Sequence, residues 1–400
     1  MIFNLNEFLT SVSFALDFME MDVLGAPSNH GRRIAYISLK IGQELGMSLE
    51  ELHDIVALAI LHDNGVGEKS LYEKLRVNGE VSLTNLEKSR VHCSIGEENI
   101  ANYPFLTDVK NVIKYHHEKY DGTGFFKLKK DEIPIMSQII QFANVVEMNC
   151  NLIQCDRNKI YKFVDENDGI AFSSKIVMAF KNVSNCDEFW SEIASNDIGE
   201  ILKRDMPKYS FDISFEKIHE ITSVLSKIID SKSEYTQRHS TGLSKKVEIM
   251  CEFYKITDDE KMKLIIAADL HDIGKLAVPN EILDSPKKLT KEEFEIIKKH
   301  PYYTRTTLES ISGFEEITEW ASNHHEKLNG KGYPLGLYAE ELDFNSRLMA
   351  CLDIYQAITE DRPYRKALSH GEAMEILNTM KHNGYIDGKI VSDIDYVFKD

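Results

Sequence analysis

The chain has 400 residues, of which 42% are hydrophobic and 28% charged, and it carries a formal net charge of −18. That length suits two ordinary domains, and the acidic balance argues against a DNA or RNA polymer as the main partner. No apolar run approaches the ~18 residues of a membrane helix, no basic segment precedes the first apolar residues, and the six cysteines form no CxxC pair, so a cytoplasmic protein with reduced thiols and no membrane contact is expected.

Read in chain order, the first half has an apolar run of core length, "IVALAIL" at 55–61, which leads into "LHDNG". It continues to "YHHEKYDGTGFF" at 115–126. The segment 195–212, "SNDIGEILKRDMPKYSFD", is polar, contains Gly and Pro, and reads as a linker. Beyond it, "FEKIHEITSVLSKIID" (215–230) and "DDEKMKLIIAADLHD" (258–272) space apolar residues by three and four, the mark of amphipathic helices. "TKEEFEIIKKH" (290–300) opens with a Thr cap and acids in its first turn, and ends in Lys and His. "NHHEKLNGKGYP" at 323–334 nearly repeats the earlier histidine phrase.

That repetition extends along the chain. His30, His62-Asp63, His92 and His116-His117 recur as His239, His271-Asp272, His300 and His324-His325, at offsets of 209, 209, 208 and 208 residues. A third dipeptide, His53-Asp54, falls outside this register and reads as chance. The chain is therefore expected to be two tandem modules, 1–194 and 213–400, joined by 195–212. Strand-like alternation is scarce, so the expected fold is all-α, two helical bundles with their ligand-type residues facing inward.

Imidazole and carboxylate suit Fe, Mn, Zn or Ni, and the lack of a Cys cluster disfavours structural zinc. Adjacent His271 and Asp272 at a helix end point ~100° apart, so one can serve a single ion while the other bridges two. Asp353 is the only acid in the apolar stretch "SRLMACLDIYQAIT". His239, His271, Asp272, His300, His324, His325 and Asp353 together read as a metal site. Asp269 reads as a solvated helix residue, and His219 and His382 as ordinary helix positions.

Residues 239–366 resemble the HD-GYP family of cyclic dinucleotide phosphodiesterases. The resemblance is carried, in the family's order, by "YTQRHS", "LHDIGKLAVPNEIL", "KLTKEEFEIIKKHP", "HHEKLNGKGYPLGL" and "EDRPYRKAL". It implies a helical domain that hydrolyses cyclic di-GMP, or in some members 3′3′-cyclic GMP-AMP, to the linear dinucleotide and in many members onward to mononucleotides. It implies one ion at His239, His271, Asp272 and Asp353 and another at Asp272, His300, His324 and His325, with Asp272 bridging. Two divalent transition-metal ions are expected, iron or manganese first, with nickel, cobalt or zinc as other candidates. A third is not, because Tyr235 stands where three-metal members carry glutamate. Substrate contacts are expected from Lys275, Gly332, Tyr333, Arg347, Arg362, Arg365 and Lys366, with Asp272 and Lys275 at the catalytic centre. Two departures from the family pattern, Asn329 for Asp and Thr304 for Gly, bear on substrate handling.

The first half resembles a degenerate copy. It keeps His30, His62, Asp63, His92, His116 and His117 as candidates for residual metal, but Asn144 takes the place of Asp353. Val66, Gln138 and Phe125-Phe126 stand where Lys275, Arg347 and Tyr333-Pro334 do. A packing, dimerisation or regulatory role, including a homodimer or a partner signalling protein, is expected for it instead of catalysis. Two alternatives for the whole chain are another HD-type nucleotide phosphohydrolase and a non-catalytic signalling scaffold.

Overall fold

In the computed structural model the described residues are 1–24, 27–66, 76–77, 80–81, 90–153, 156–231, 239–283, 285, 287, 289–361 and 366–399. They form two compact units, Phe3–Phe211 and Asp212–Asp400 together with Met1–Ile2. The expected all-α class holds: among the described residues, strands are limited to the two-residue stretches Ile2–Phe3, Arg76–Val77, Glu80–Val81 and Phe211–Asp212.

The N-terminal unit contains α1 (Leu5–Leu24), α2 (His30–Glu44), α3 (Leu49–Ile60), α4 (Val91–Asn99), α5 (Ile135–Asn149), α6 (Arg157–Glu166), α7 (Ser174–Val183), α8 (Asp187–Ile193) and α9 (Ile198–Asp205). Helix α3 starts at a capping box, in which Ser48 Oγ accepts from Glu51 N and the Glu51 carboxylate accepts from Ser48 N. From Ile55 to Ile60 every residue of α3 is buried, with α1 and α2 packed against it. The His53-Asp54 dipeptide is structural. Asp54 accepts the backbone N–H groups of Leu106 and Thr107 and the Thr107 hydroxyl.

The stretch expected as a linker, 195–212, is more ordered than its composition suggests. Helix α9 lies within it and buries Ile198 and Leu202 completely, while Asp205 pairs with Lys40 at 2.7 Å. The polar residues of "IGEILKRD" occupy one face of an amphipathic helix whose other face is core.

The C-terminal unit contains α10 (Phe215–Ser231), α11 (His239–Tyr254), α12 (Asp258–Leu270), α13 (Asn280–Leu283), α14 (Lys291–Ile297), α15 (His300–Leu308), α16 (Glu315–Ser322), α17 (Phe344–Thr359), α18 (His370–His382) and α19 (Gly388–Val397). Helix α12 is its axis. Thr257 caps it, three acids occupy its first turn, and Leu264 through Leu270 are all buried beneath α10, α11 and α16. Along this buried half the helix has no solvent face, and this corrects the reading of Asp269 as solvated. Its carboxylate, only 3% exposed, accepts from Thr222 Oγ1 (2.9 Å) and Ser244 Oγ (3.1 Å) and bonds His219 Nδ1 (2.7 Å). The "TKEEFEIIKKH" segment keeps its Thr290 capping box but breaks after Ile297, so that His300 begins a new helix.

The hydrogen bond from Asp269 raises the His219 pKa above its usual value. A raised folded-state pKa contributes stability that is fully present below the unfolded value, ~6.5, and is lost as pH rises through the folded value. Denaturant midpoints at about pH 6 and about pH 8 should therefore fall more steeply with pH in the wild type than in His219→Gln. Equal slopes would refute the coupling.

Candidate metal centre

Three helix termini aim imidazoles at one carboxylate. His271 follows the last residue of α12, His300 opens α15, and His324 lies just past the end of α16. In each the Nδ1 lies on a main-chain carbonyl three residues earlier: Ala268 O at 2.8 Å, Ile297 O at 2.8 Å and Ala321 O at 2.7 Å. A carbonyl only accepts, so these bonds put the proton on Nδ1 and leave a lone pair on each Nε2.

Those lone pairs converge. His271 Nε2 is 3.2 Å from Asp272 Oδ2, while His300 and His324 Nε2 are 3.3 and 3.9 Å from Asp272 Oδ1 and 3.2 Å from each other. Acceptors face acceptors in a buried place, and Asp272 Oδ1 and His271 Nε2 make no hydrogen bond. Buried polar atoms left this way carry a large penalty unless a cation lies between them. The residues therefore fit a metal centre on their own chemistry.

All seven candidate ligands are brought together. The ligand atoms of His239, His271 and Asp353, of His271, Asp272 and His324, and of His300, His324 and His325 form three overlapping groups, each within 4.8 Å. His239 Nε2 lies 2.9 Å from Asp353 Oδ1, and its Nδ1 3.1 Å from Glu360 Oε1. Burial opposes ionisation of Asp272, but His271, Lys275 and His300 outweigh it and hold the carboxyl well below its usual range. Burial together with neighbouring imidazoles keeps His324 well below 6.5 and takes His325 down to about 3, so both rings are neutral. His239 goes the other way: against the effect of burial, Asp353 and Glu360 raise it to about 10.

The glycine-rich loop is fastened by a residue that sequence reasoning passed over. Glu326, only 3% exposed, accepts from the N–H groups of Leu335 (2.6 Å), Gly336 and Leu337 (both 3.0 Å). Its signal was the third letter of "HHE", shared by both copies; Glu118 holds Phe126 N and Leu128 N in the same way. At Gly332 a Cβ would come within 2.3 Å of Lys327 N, so only glycine lets the loop fold back on this segment. Tyr333 is thereby set against His325, with ring centroids 4.9 Å apart. Asn329 Oδ1 accepts from Lys331 N, so the turn keeps its shape without Asp. Thr304 gains a bond for each partner, its hydroxyl donating to His271 O (2.8 Å) and accepting from Gly274 N (3.2 Å).

Of the expected substrate contacts, the Lys275 ammonium lies on Asp272 Oδ2 at 2.5 Å. Arg347 pairs with Asp387 at 3.0 Å and donates to Asp343 O, and its own place on α17 is about 1.7 helical turns, ~9 Å, from Asp353. Lys366 is exposed. Arg362, Arg365 and Tyr235 lie outside the described residues.

The N-terminal unit assembles its own histidines. His62 Nδ1 lies on Ala59 O and His116 Nδ1 on Ile113 O, and Asp63 is 3.3, 3.6 and 3.4 Å from the Nε2 atoms of His62, His92 and His116. His30 lies beside His62, with ring centroids 5.6 Å apart. Val66, in the place of Lys275, is fully buried, and the Gln138 amide is used on main-chain carbonyls of residues 130 and 133.

A profile of the HD domain family matches residues 20–160 and 223–390. The chain is 29% identical over 399 residues to a 3′3′-cGAMP-specific phosphodiesterase of Vibrio cholerae, with 97% of this chain and 90% of that protein covered. It is 33% identical over 181 residues to a cyclic di-GMP phosphodiesterase of Pseudomonas aeruginosa, 45% of this chain and 43% of that one. A crystal structure of a cyclic GMP-AMP specific phosphodiesterase of V. cholerae matches with a TM-score of 0.71 and 25% identity, over 99% of this chain and 98% of its own.

The closeness of α15 to the His271-Asp272 turn depends on Gly274, where a Cβ would sit 2.0 Å from His300 O and 2.8 Å from Thr304 N. Gly274→Ala must push the His300 helix outward. It should lose about 1 to 3 kcal/mol of stability, as overpacked sites do, and retain less metal than the wild type after dialysis. Wild-type melting and metal content would show that the approach is not needed.

Proposed function

The chain belongs to the HD domain family, and from that premise we propose that it hydrolyses a cyclic dinucleotide at the His/Asp centre of its C-terminal unit. It is a metal-dependent cyclic dinucleotide phosphodiesterase. The observation that carries the assignment of the site is the Asp272 carboxylate, buried and met by imidazole Nε2 lone pairs from three helix ends.

In this reading His239, His271, Asp272 and Asp353 hold one divalent ion, and Asp272, His300, His324 and His325 hold a second. Iron or manganese suits the all-nitrogen and oxygen donor set. Such ions supply Lewis acidity toward the phosphoryl oxygens and activate water near neutral pH. The chain's own groups do the rest. The Nδ1–H bonds keep each ring from turning, so the donors are preorganised. Lys275, on a flexible stem beside Asp272, is a cation placed to meet a phosphoryl oxygen. The Tyr333 ring, packed on His325, stands on the loop side of the centre. Arg362, Arg365 and Lys366 offer further charge to an anionic ligand, which the net charge of −18 otherwise repels. Addition of water across one P–O3′ bond leaves a linear dinucleotide with a 5′-phosphate.

Between the two messengers, the near full-length relatives favour 3′3′-cGAMP, because the cyclic di-GMP enzyme matches less than half of this chain. The purified protein should be incubated with each messenger and Mn or Fe, and the products separated by chromatography. A linear product from 3′3′-cGAMP with little from cyclic di-GMP is expected. The reverse order would overturn the preference, and no product from either would overturn the activity.

The N-terminal unit is assigned a packing or regulatory role in the same reading. At equal folded concentration, His62→Ala/Asp63→Ala should keep most turnover. His271→Ala/Asp272→Ala should lose more than about 100-fold, the scale of removing preorganised electrostatic stabilisation. The opposite pattern would place the active centre in the other half.

A further inference from the structure

The two histidine clusters differ in one position that changes the metal they suit. Where the C-terminal unit has Pro301 immediately after His300, the N-terminal unit has Cys93 immediately after His92. Cys93 is fully buried, and its Sγ is 3.4 Å from His92 Nε2. The ligand atoms of His92, Cys93, His116 and His117 all lie within 4.8 Å of one another. His116 spends its Nδ1 on Ile113 O, and its Nε2 is buried and makes no hydrogen bond; the same is true of His117 Nε2. His116 itself is 0% exposed.

We propose that the N-terminal unit holds a single metal ion of the zinc class in a closed site made by His92, Cys93, His116 and His117. Imidazole nitrogen and thiolate sulfur are both zinc ligands, and four of them in tetrahedral array make the closed coordination of a structural zinc site. Bonds of ~2.0 to 2.3 Å place tetrahedral donors about 3.3 to 3.8 Å apart, and the observed His92–Cys93 separation falls in that range. A soft sulfur donor moves the preference toward zinc and away from manganese. The neighbouring pocket changes in the opposite sense. Asn144 replaces the carboxylate that Asp353 supplies in the other unit, so beside His30 and His62 only Asp63 remains as an acid from the repeated set. The duplicate has exchanged a carboxylate-bridged pair of positions for one four-ligand position. Four protein ligands leave no place for water or substrate, the mark of a structural centre and not a catalytic one. This inference stands apart from the activity of the C-terminal unit.

The test uses the full chain carrying His271→Ala/Asp272→Ala, which removes the other centre from the signal. Loaded with cobalt(II), it should take up about one ion per chain and show a near-ultraviolet thiolate-to-cobalt charge-transfer band with intense tetrahedral visible bands. No cysteine belongs to the C-terminal ligand groups among the described residues, so that band reports Cys93. Cys93→Ser, nearly the same size, should fold as judged by circular dichroism and lose the charge-transfer band. His116→Ala should lose the ion. Absence of the band, its persistence in Cys93→Ser, or cobalt bound with an oxygen-only signature through Asp63 would each overturn the proposal.

Discussion

The Nδ1–H bond to a carbonyl three residues back is the constraint from which the rest of the centre follows. It occurs at a helix end, where the chain has just stopped using its carbonyls internally and one of them can serve a side chain. His271, His300 and His324 each make it there, as does His62 just past α3, and His116 makes the same bond within a turn. The bond selects the tautomer, fixes the ring plane and directs a lone pair inward. Without it the same residues would be rotamers in search of a partner. With it, three rings and Asp272 form an array of acceptors that needs positive charge at its middle.

The helices serve that array. Helix α12 is buried along its last two turns so that His271 and Asp272 emerge deep inside the bundle, out of competition with bulk water. Gly274 then lets α15 come close enough for His300, and Thr304 fastens the two by bonding both His271 O and Gly274 N. Glu326 does the equivalent work for the glycine-rich loop. It carries no expected ligand role, yet it gathers three backbone N–H groups that would otherwise need solvent. The N-terminal unit keeps both devices, Gly65 beside His92 and Glu118 beneath its loop. These braces are kept, while Val66 and Gln138 stand where Lys275 and Arg347 do in the other unit.

Much of this was legible in the sequence. Helical class follows from apolar residues spaced by three and four, and the duplication from histidines recurring at a near-constant offset. The candidate cluster was legible because the same imidazoles and carboxylates recur in order in both halves. Asp269 was misread because its neighbours in sequence gave no sign that α10, α11 and α16 all pack around it; its burial is a property of the bundle, not of the helix. The segment 195–212 was misread because polar composition describes one face of α9 and hides the other.

By itself the sequence determined which residue types stand at which spacing: the seven candidate ligands, the loop that needs glycine, and the loss of Lys275, Arg347 and Asp353 equivalents from the first half. Only the tertiary structure decided how those residues face one another. That Thr304 braces the His271 turn, and that Glu360 bonds His239, depends on contacts between segments far apart in the chain. The nearness of the Cys93 sulfur to three imidazoles depends partly on such a contact, between the start of α4 and the His116-His117 turn. Spacing along the chain fixes composition and local direction, but a distance across the core is set by how the helices pack, and no local pattern encodes it.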